Sequence, residues 1–214
     1  EGLVPSRNVV AELVGSESPQ EVVILGGHID SWDVGQGAVD DAGGCLAAWH
    51  ALVLMKRLGL RPRRTVRVVL WTNEENGLGG AKAYRDAHRD EIDDMVLAME
   101  SDSGVFEPLG FSFSGSPEAR KIVSEVARLL DPIGAGMISG NGGGADIGPL
   151  MELGVPGMGL VVDGSKYFWY HHTHADTVDK VDPREMHQCA AAMAIMAYVV
   201  ADMPQRLPRE TASY

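Results

Sequence analysis

Residues 65–77 read TVRVVLWTNEENG. The run from Val66 to Trp71 is apolar but for one arginine and rich in valine, which suits a strand covered on both faces, the kind that parallel sheets contain. It stops at Asn73-Glu74-Glu75, so two adjacent carboxylates follow directly on the strand's C-terminal end. Outward from this strand, short apolar runs alternate with longer Ala-rich helical patterns. Strands are expected over Val9 to Val14, Glu21 to Leu25, Thr65 to Thr72, Met95 to Glu100, Phe111 to Ser114 and Gly157 to Val162. Helices are expected over Ala42 to Leu58, Gly79 to Arg89, Pro117 to Leu130 and Asp182 to Met203, the last entered through Asp182-Pro183. The first two strands are joined by a Gly15-Ser-Glu-Ser-Pro19 turn. This alternation predicts an α/β layer architecture with a largely parallel sheet. No repeat, low-complexity tract or linker interrupts it, so residues 1–214 read as one domain, with Pro204 to Tyr214 expected to fray.

The chain carries 18 Lys and Arg against 30 Asp and Glu, a formal charge of −12. That surplus repels phosphate backbones and anionic membranes and favours cations, which argues against nucleic-acid and membrane partners. Cys45 and Cys189 are too few for a disulfide framework and sit among Ala, Leu and Met, as small buried hydrophobes do. The longest uncharged apolar stretch, Cys189 to Ala201, falls short of the roughly 20 residues a membrane-spanning helix needs and reads as a core helix. No basic n-region or apolar h-region of a signal peptide is read from Glu1 onward.

In open α/β sheets ligands bind beyond the C-terminal ends of the strands, and there the polar residues concentrate. Gly26-Gly27-His28-Ile29-Asp30 follows one strand, Asn73-Glu74-Glu75 the next, and Glu100-Ser101-Asp102 a third. Residues 170–177, YHHTHADT, follow a fourth, and Asp40-Asp41 opens a helix between the first two. Each has a plain structural account: His28 as a hydrogen-bonded strand end, Asp40 or Asp41 as a helix cap, Glu74 and Glu75 as surface acids, Asp102 as a turn residue. Taken together, they put imidazoles and carboxylates at one sheet edge, where adjacent acids repel unless a cation or proton intervenes. Imidazole with carboxylate oxygen suits zinc and its neighbours, and the absence of cysteine argues against a closed structural site. The donors exceed what one tetrahedral catalytic zinc takes from protein, so two metals sharing a carboxylate is the economical reading.

The segments GGHIDSWDVGQGAVDDAGG (26–44), LWTNEENGLGGAKAY (70–84), MESDSG (99–104) and YHHTHADT (170–177) resemble those of the co-catalytic di-zinc exopeptidases of the bacterial leucyl aminopeptidase type, most closely the family's glutamate carboxypeptidase branch. The likeness runs from Ser6 to Pro204. It implies a three-layer sandwich, with a mixed, mostly parallel central sheet and helices on both faces. Full-length relatives of this branch carry an N-terminal segment and a protease-associated domain ahead of the stretch seen here, so the chain is expected to be the catalytic domain of a longer parent.

The resemblance implies two Zn2+ ions, with His28 and Asp102 on one, Glu75 and His172 on the other, and Asp40 bridging. It makes Glu74 the general base for the attacking water and Asp30 the acceptor of the second N–H of His28. Asp41 stands where Asn is common, and a carboxylate serves the same local hydrogen bonds. His172 is chosen over its neighbours because it lies four residues before Asp176 of the Asp-Thr pair. His171 and His174 are left as supporting or pocket residues, with a plain structural role the preferred account of each. The implied substrates are unblocked dipeptides or short peptides, with aminopeptidase, dipeptidase and carboxypeptidase action all open. Secretion or a periplasmic location and pairing as a homodimer come with the resemblance. Tyr167, Phe168, Trp169 and Tyr170 are read mainly as core packing with a share in an apolar pocket wall, and Lys166 as a partner for a substrate carboxylate.

Four rivals stand beside this reading. Gly140 to Ala145 fits GxGxxA ahead of a short helix, with Asp163 at the distance of a ribose acid, which would make a nucleotide site. The same architecture also hosts non-hydrolytic receptors, which would leave gaps among His28, Asp40, Glu75, Asp102 and His172, and single-zinc cyclases. A serine hydrolase is disfavoured by the lack of a GxSxG elbow.

Overall fold

The computed structural model describes residues 4–210. Four parallel strands form its centre, in the order β3 (Arg64–Trp71), β2 (Ser18–His28), β4 (Met95–Glu100) and β7 (Gly157–Val162). Being parallel, they end at the same edge of the sheet. Outside β3 lies β1 (Val9–Leu13), antiparallel to it, while β5 (Pro108–Ser114) runs antiparallel to β7 and parallel to β6 (Met137–Ser139). The sheet is therefore mixed, with its reversals at the two flanks.

Period-two alternation divides the central strands between two apolar layers. On β3, Val66 and Val68 face one side, against α1 (Gly43–Arg57), α3 (Pro117–Ala127) and α6 (Pro183–Asp202). Val69 and Trp71 face the other, against α2 (Gly79–Ala87) and the single turn α4 (Gly148–Met151). This is a three-layer α/β sandwich, as the motif likeness implies. Helix starts obey local rules: Asp182 caps α6 by accepting from the N–H of Arg184 at 2.7 Å with Pro183 in the first turn, and Ser116 caps α3 by accepting from Ala119 N–H. Both cysteines are buried and free.

Several sequence expectations need correction. The connection between the first two strands is shorter than the Gly15–Pro19 turn expected, because Ser18 and Pro19 already belong to β2, held by Ser16 and Glu17 N–H bonds to the carbonyls of Pro62 and Arg63; β1 itself pairs with β3. The helix expected to reach Leu130 gives way after Ala127 to a tighter turn, Arg128–Ile133, where Pro132 can donate no hydrogen bond. The described part of the tail is anchored rather than frayed. Leu207 is buried in the larger core, the Ser116 hydroxyl donates to the carbonyl of Pro208, and the Arg209 guanidinium donates to the carbonyls of Ile92 and Met95. Residues 211–214 lie outside the described range.

No helix among the described residues is long and apolar enough to cross a membrane. Because Leu207 is fully buried in the larger core, Leu207→Ala is expected to cost about 2–5 kcal/mol of stability. Urea unfolding measures this, and a loss below about 0.5 kcal/mol, typical of surface positions, would contradict an anchored tail.

Candidate metal centre

Each of the four parallel strands hands a polar residue to the common edge. β2 ends on His28, β3 runs into Glu74 and Glu75, β4 is followed by Asp102, and the segment after β7 carries His171 and His172 through the short helix α5 (Tyr167–Tyr170). The structure brings His28, Asp40, Glu75, Asp102 and His172 into one cluster. His28 Nε2 lies 3.3 Å from Asp40 Oδ1 and 3.3 Å from Asp102 Oδ1. His172 Nε2 lies 2.8 Å from Glu75 Oε2 and 3.4 Å from Asp40 Oδ2. Asp40 thus turns one oxygen towards each imidazole, and His171 Nε2 is also 3.6 Å from Asp40 Oδ2. Three overlapping triads have donor atoms close enough to share an ion: His28 with Asp40 and Glu75, His28 with Asp41 and Asp102, and Asp40 with His171 and His172.

The backbone around Asp40 is built to hold this arrangement. The Asp40–Asp41 peptide is cis. Asp41 is fully buried and points back, accepting from the N–H groups of His28 at 3.0 Å and Gly44 at 3.1 Å, the local bonds expected of it. A Cβ at Gly44 would strike the Asp41 carboxylate and the Ser101 carbonyl, so only glycine lets α1 start this close. From the other side, Asp176 accepts from the N–H groups of Val39 at 2.6 Å and Asp40 at 3.1 Å. In the sequence Asp176 only marks the place of His172, and nothing in its neighbourhood signals that it clamps the chain at Asp40.

Asp30 needs a correction. The second nitrogen of His28 is met by the Asp30 main-chain carbonyl at 2.8 Å, while the carboxylate is 3.9 Å away, beyond hydrogen-bond reach. That carboxylate instead accepts from the N–H groups of Glu74 at 3.0 Å and Glu75 at 3.3 Å, fixing the turn that carries both acids. The turn is flanked by Asn73 and Leu78 in the left-handed region, with φ of 62° each.

Charges crowd this edge. Burial resists a charge on His28, but the carboxylates of Asp102 and Asp40 on its Nε2 outweigh that and push its pKa up to about 12. Burial likewise opposes ionisation of Asp40, and the imidazoles of His28, His171 and His172 prevail and hold it low. Glu74 has no countercharge sufficient to offset its partial burial, so its pKa is raised. Glu75 Oε1 is buried without a hydrogen-bond partner. A buried carboxylate oxygen left open beside imidazole nitrogens is the environment a divalent cation satisfies, so the residues fit a metal.

Behind the cluster, Glu100 is buried and accepts from the N–H groups of Asp146 at 3.3 Å and Ile147 at 2.9 Å. Both carboxylate oxygens of Asp146 are buried and unpartnered. Within the stretch 140–144 close packing accounts for three glycines, since a Cβ would strike Ser112 at Gly142, Met151 at Gly143 and the Glu100 carboxylate at Gly144, and the helix that follows is the four-residue α4, which disfavours the nucleotide reading. Asp163 accepts from Ser165 N–H. None of the five positions is a gap, against the receptor reading.

The aromatic segment departs from expectation. Phe168 and Trp169 are 78% and 66% exposed rather than in the core, because one turn of helix cannot turn all four aromatics inward; Tyr167 and Tyr170 do pack against it. Lys166 is exposed, its charge felt by Asp163 and Glu185.

Residues 8–197 match the sequence profile of peptidase family M28. Carboxypeptidase Q of Xenopus laevis is 53% identical over 204 residues, which cover 95% of this chain and 44% of that protein. A solved structure of a peptidase M28 precursor from Shewanella amazonensis SB2B superposes with a TM-score of 0.90 at 38% identity, covering 95% of this chain and 47% of that one. The zinc aminopeptidase BSAP from Bacillus subtilis shares the fold with a TM-score of 0.72 at 17% identity, over 94% of this chain and 53% of its own. The chain spans less than half the length of the curated relatives it matches.

The Asp146 carboxyl supplies a pH test. Burial, aided by the charge on Glu100, pushes its pKa up to about 9. A carboxyl held above its unfolded value of about 3.9 favours the folded state fully at acid pH, and that contribution is lost as pH rises through the folded pKa. Asp146→Asn removes the titration. In metal-stripped protein its stability relative to wild type is expected to climb from about pH 4 to about pH 9, by several kcal/mol at the alkaline end. Thermal melts in chelator measure the gap; one that stays constant with pH would contradict the assignment.

Proposed function

The chain belongs to peptidase family M28, and from that premise we propose that it hydrolyses the terminal peptide bond of unblocked dipeptides or short peptides with the help of two zinc ions. His28 and Asp102 would hold one ion, Glu75 and His172 the other, and Asp40 would lie between them. The observation that carries this reading is the opposed use of the two Asp40 oxygens, one facing His28 at 3.3 Å and the other facing His172 at 3.4 Å. Zinc is favoured by an imidazole and carboxylate donor set without thiolate, and the similar B. subtilis protein is a zinc aminopeptidase. When bound, the ions supply Lewis acidity, polarising the scissile carbonyl and making water acidic enough to attack at neutral pH.

Glu74 is the proton carrier. Its carboxylate, on the turn fixed by Asp30, takes the proton from the attacking water, and its raised pKa lets it hand that proton on to the leaving amine. The acidic cluster attracts the free α-amine of a peptide, which favours exopeptidase action. Beside Asp102 and α5 lies a recess of about 350 Å³ lined by Ser103, Gly143, Leu160, Gly164, Tyr167 and Phe168, suited to a small or apolar substrate side chain. Secretion or a periplasmic location and pairing as a dimer are part of the same proposal, supported by the family resemblance alone.

Elemental analysis with a panel of dipeptides tests it. Chelation is expected to abolish hydrolysis. Glu74→Gln is expected to keep its zinc and to lose about 10²–10⁴-fold in kcat. Full activity in Glu74→Gln, or hydrolysis indifferent to chelator, would overturn the proposal.

A further inference from the structure

His28 and His172 are oriented by different means. Imidazoles at metal sites are ordinarily aimed by a hydrogen bond on the ring nitrogen that faces away from the metal. His28 has one, from Nδ1 to the Asp30 carbonyl. Among the described residues nothing bonds to Nδ1 of His172, a side chain 36% exposed on a left-handed backbone with φ of 58°. Its ring is gripped on its faces instead. The indole of Trp32 lies over one face, with centroids 4.9 Å apart and planes 14° apart, and His171 covers the other at 3.6 Å and 19°. His172 is the middle ring of a three-ring stack whose edge meets Glu75 and Asp40.

Trp32 is brought there by a loop tied to the histidine segment itself. Gln36 N–H donates to the Asp176 carbonyl at 2.7 Å, Val178 N–H donates to Gln36 Oε1 at 3.1 Å, and His174 Nδ1 lies 2.7 Å from the Val34 carbonyl. The plate and the ring it covers therefore sit on one laced unit. At 42% exposed, Trp32 is not a core residue, so its placement serves the contact it makes.

We propose that Trp32 is a positioning residue for His172, its indole face doing for that imidazole what the Asp30 carbonyl does for His28. The inference rests on the reading of His172 as a holder of metal. Zinc titration of metal-stripped protein, followed by calorimetry, tests it without reference to turnover. Two binding steps are expected for wild type, one of them weakened in His172→Ala. Trp32→Ala is expected to weaken that same step by roughly 10–100-fold and to leave the other unchanged. Trp32→Phe, which restores an aromatic face, is expected to recover most of the loss, and Trp169→Ala, at an exposed aromatic outside the stack, to have no effect. If His172→Ala binds zinc as wild type does, the metal reading of His172 fails and this inference with it. If His172→Ala behaves as expected while Trp32→Ala keeps both affinities, or Trp32→Phe is as weak as Trp32→Ala, the role of Trp32 alone is overturned.

Discussion

One carboxylate facing two imidazoles in opposite directions is the constraint around which this structure is arranged. Asp40 reaches that position because Asp41 is turned back onto the His28 and Gly44 N–H groups and Asp176 holds the chain at Val39 and Asp40 from the far side. Those three acids come from two segments more than 130 residues apart, and their side chains do the work that a longer regular helix start would otherwise do. The parallel strands β3, β2, β4 and β7 supply the remaining groups simply by ending at one edge.

The same crowding sets an electrostatic demand. Asp30, Asp40, Asp41, Glu74, Glu75, Asp102, Glu100 and Asp146 lie in and behind the cluster, against three imidazoles, so without a cation the protein must hold protons to balance them. It does so most readily at the groups burial already penalises, Asp41, Glu100 and Asp146, whose pKa values are all pushed up. In front of them, the imidazoles of His28, His171 and His172 hold Asp40 low instead. Raised carboxyls behind and an Asp40 held low in front suit a site that takes up divalent cations, and the cluster accounts for part of the acidic surplus.

The central strands were readable because they are continuous apolar runs, and the site was readable because its polar residues break those runs at the same end. What escaped is what depends on nonlocal partners or on very short elements. β6 has three residues with no apolar periodicity, and α4 and α5 have four each, too short for a helical pattern to register. That β1 pairs antiparallel with β3 rather than with its neighbour in sequence is a tertiary choice that no local pattern encodes. Two-residue spacing put Asp30 beside His28 but could not tell its carbonyl from its carboxylate, and the carboxylate went to the Glu74–Glu75 turn. Trp32 and Asp176 were passed over for the same reason: their partners lie across the fold, in loops distant in sequence that no local pattern pairs.

The most direct measurement is anomalous diffraction at the zinc edge from a crystal grown with zinc. Two peaks are predicted, one within ligand distance of His28 and Asp102 and the other of Glu75 and His172, with Asp40 between them. Zinc bound away from these five side chains, or a single peak with Asp40 ligating through one oxygen only, would contradict the account.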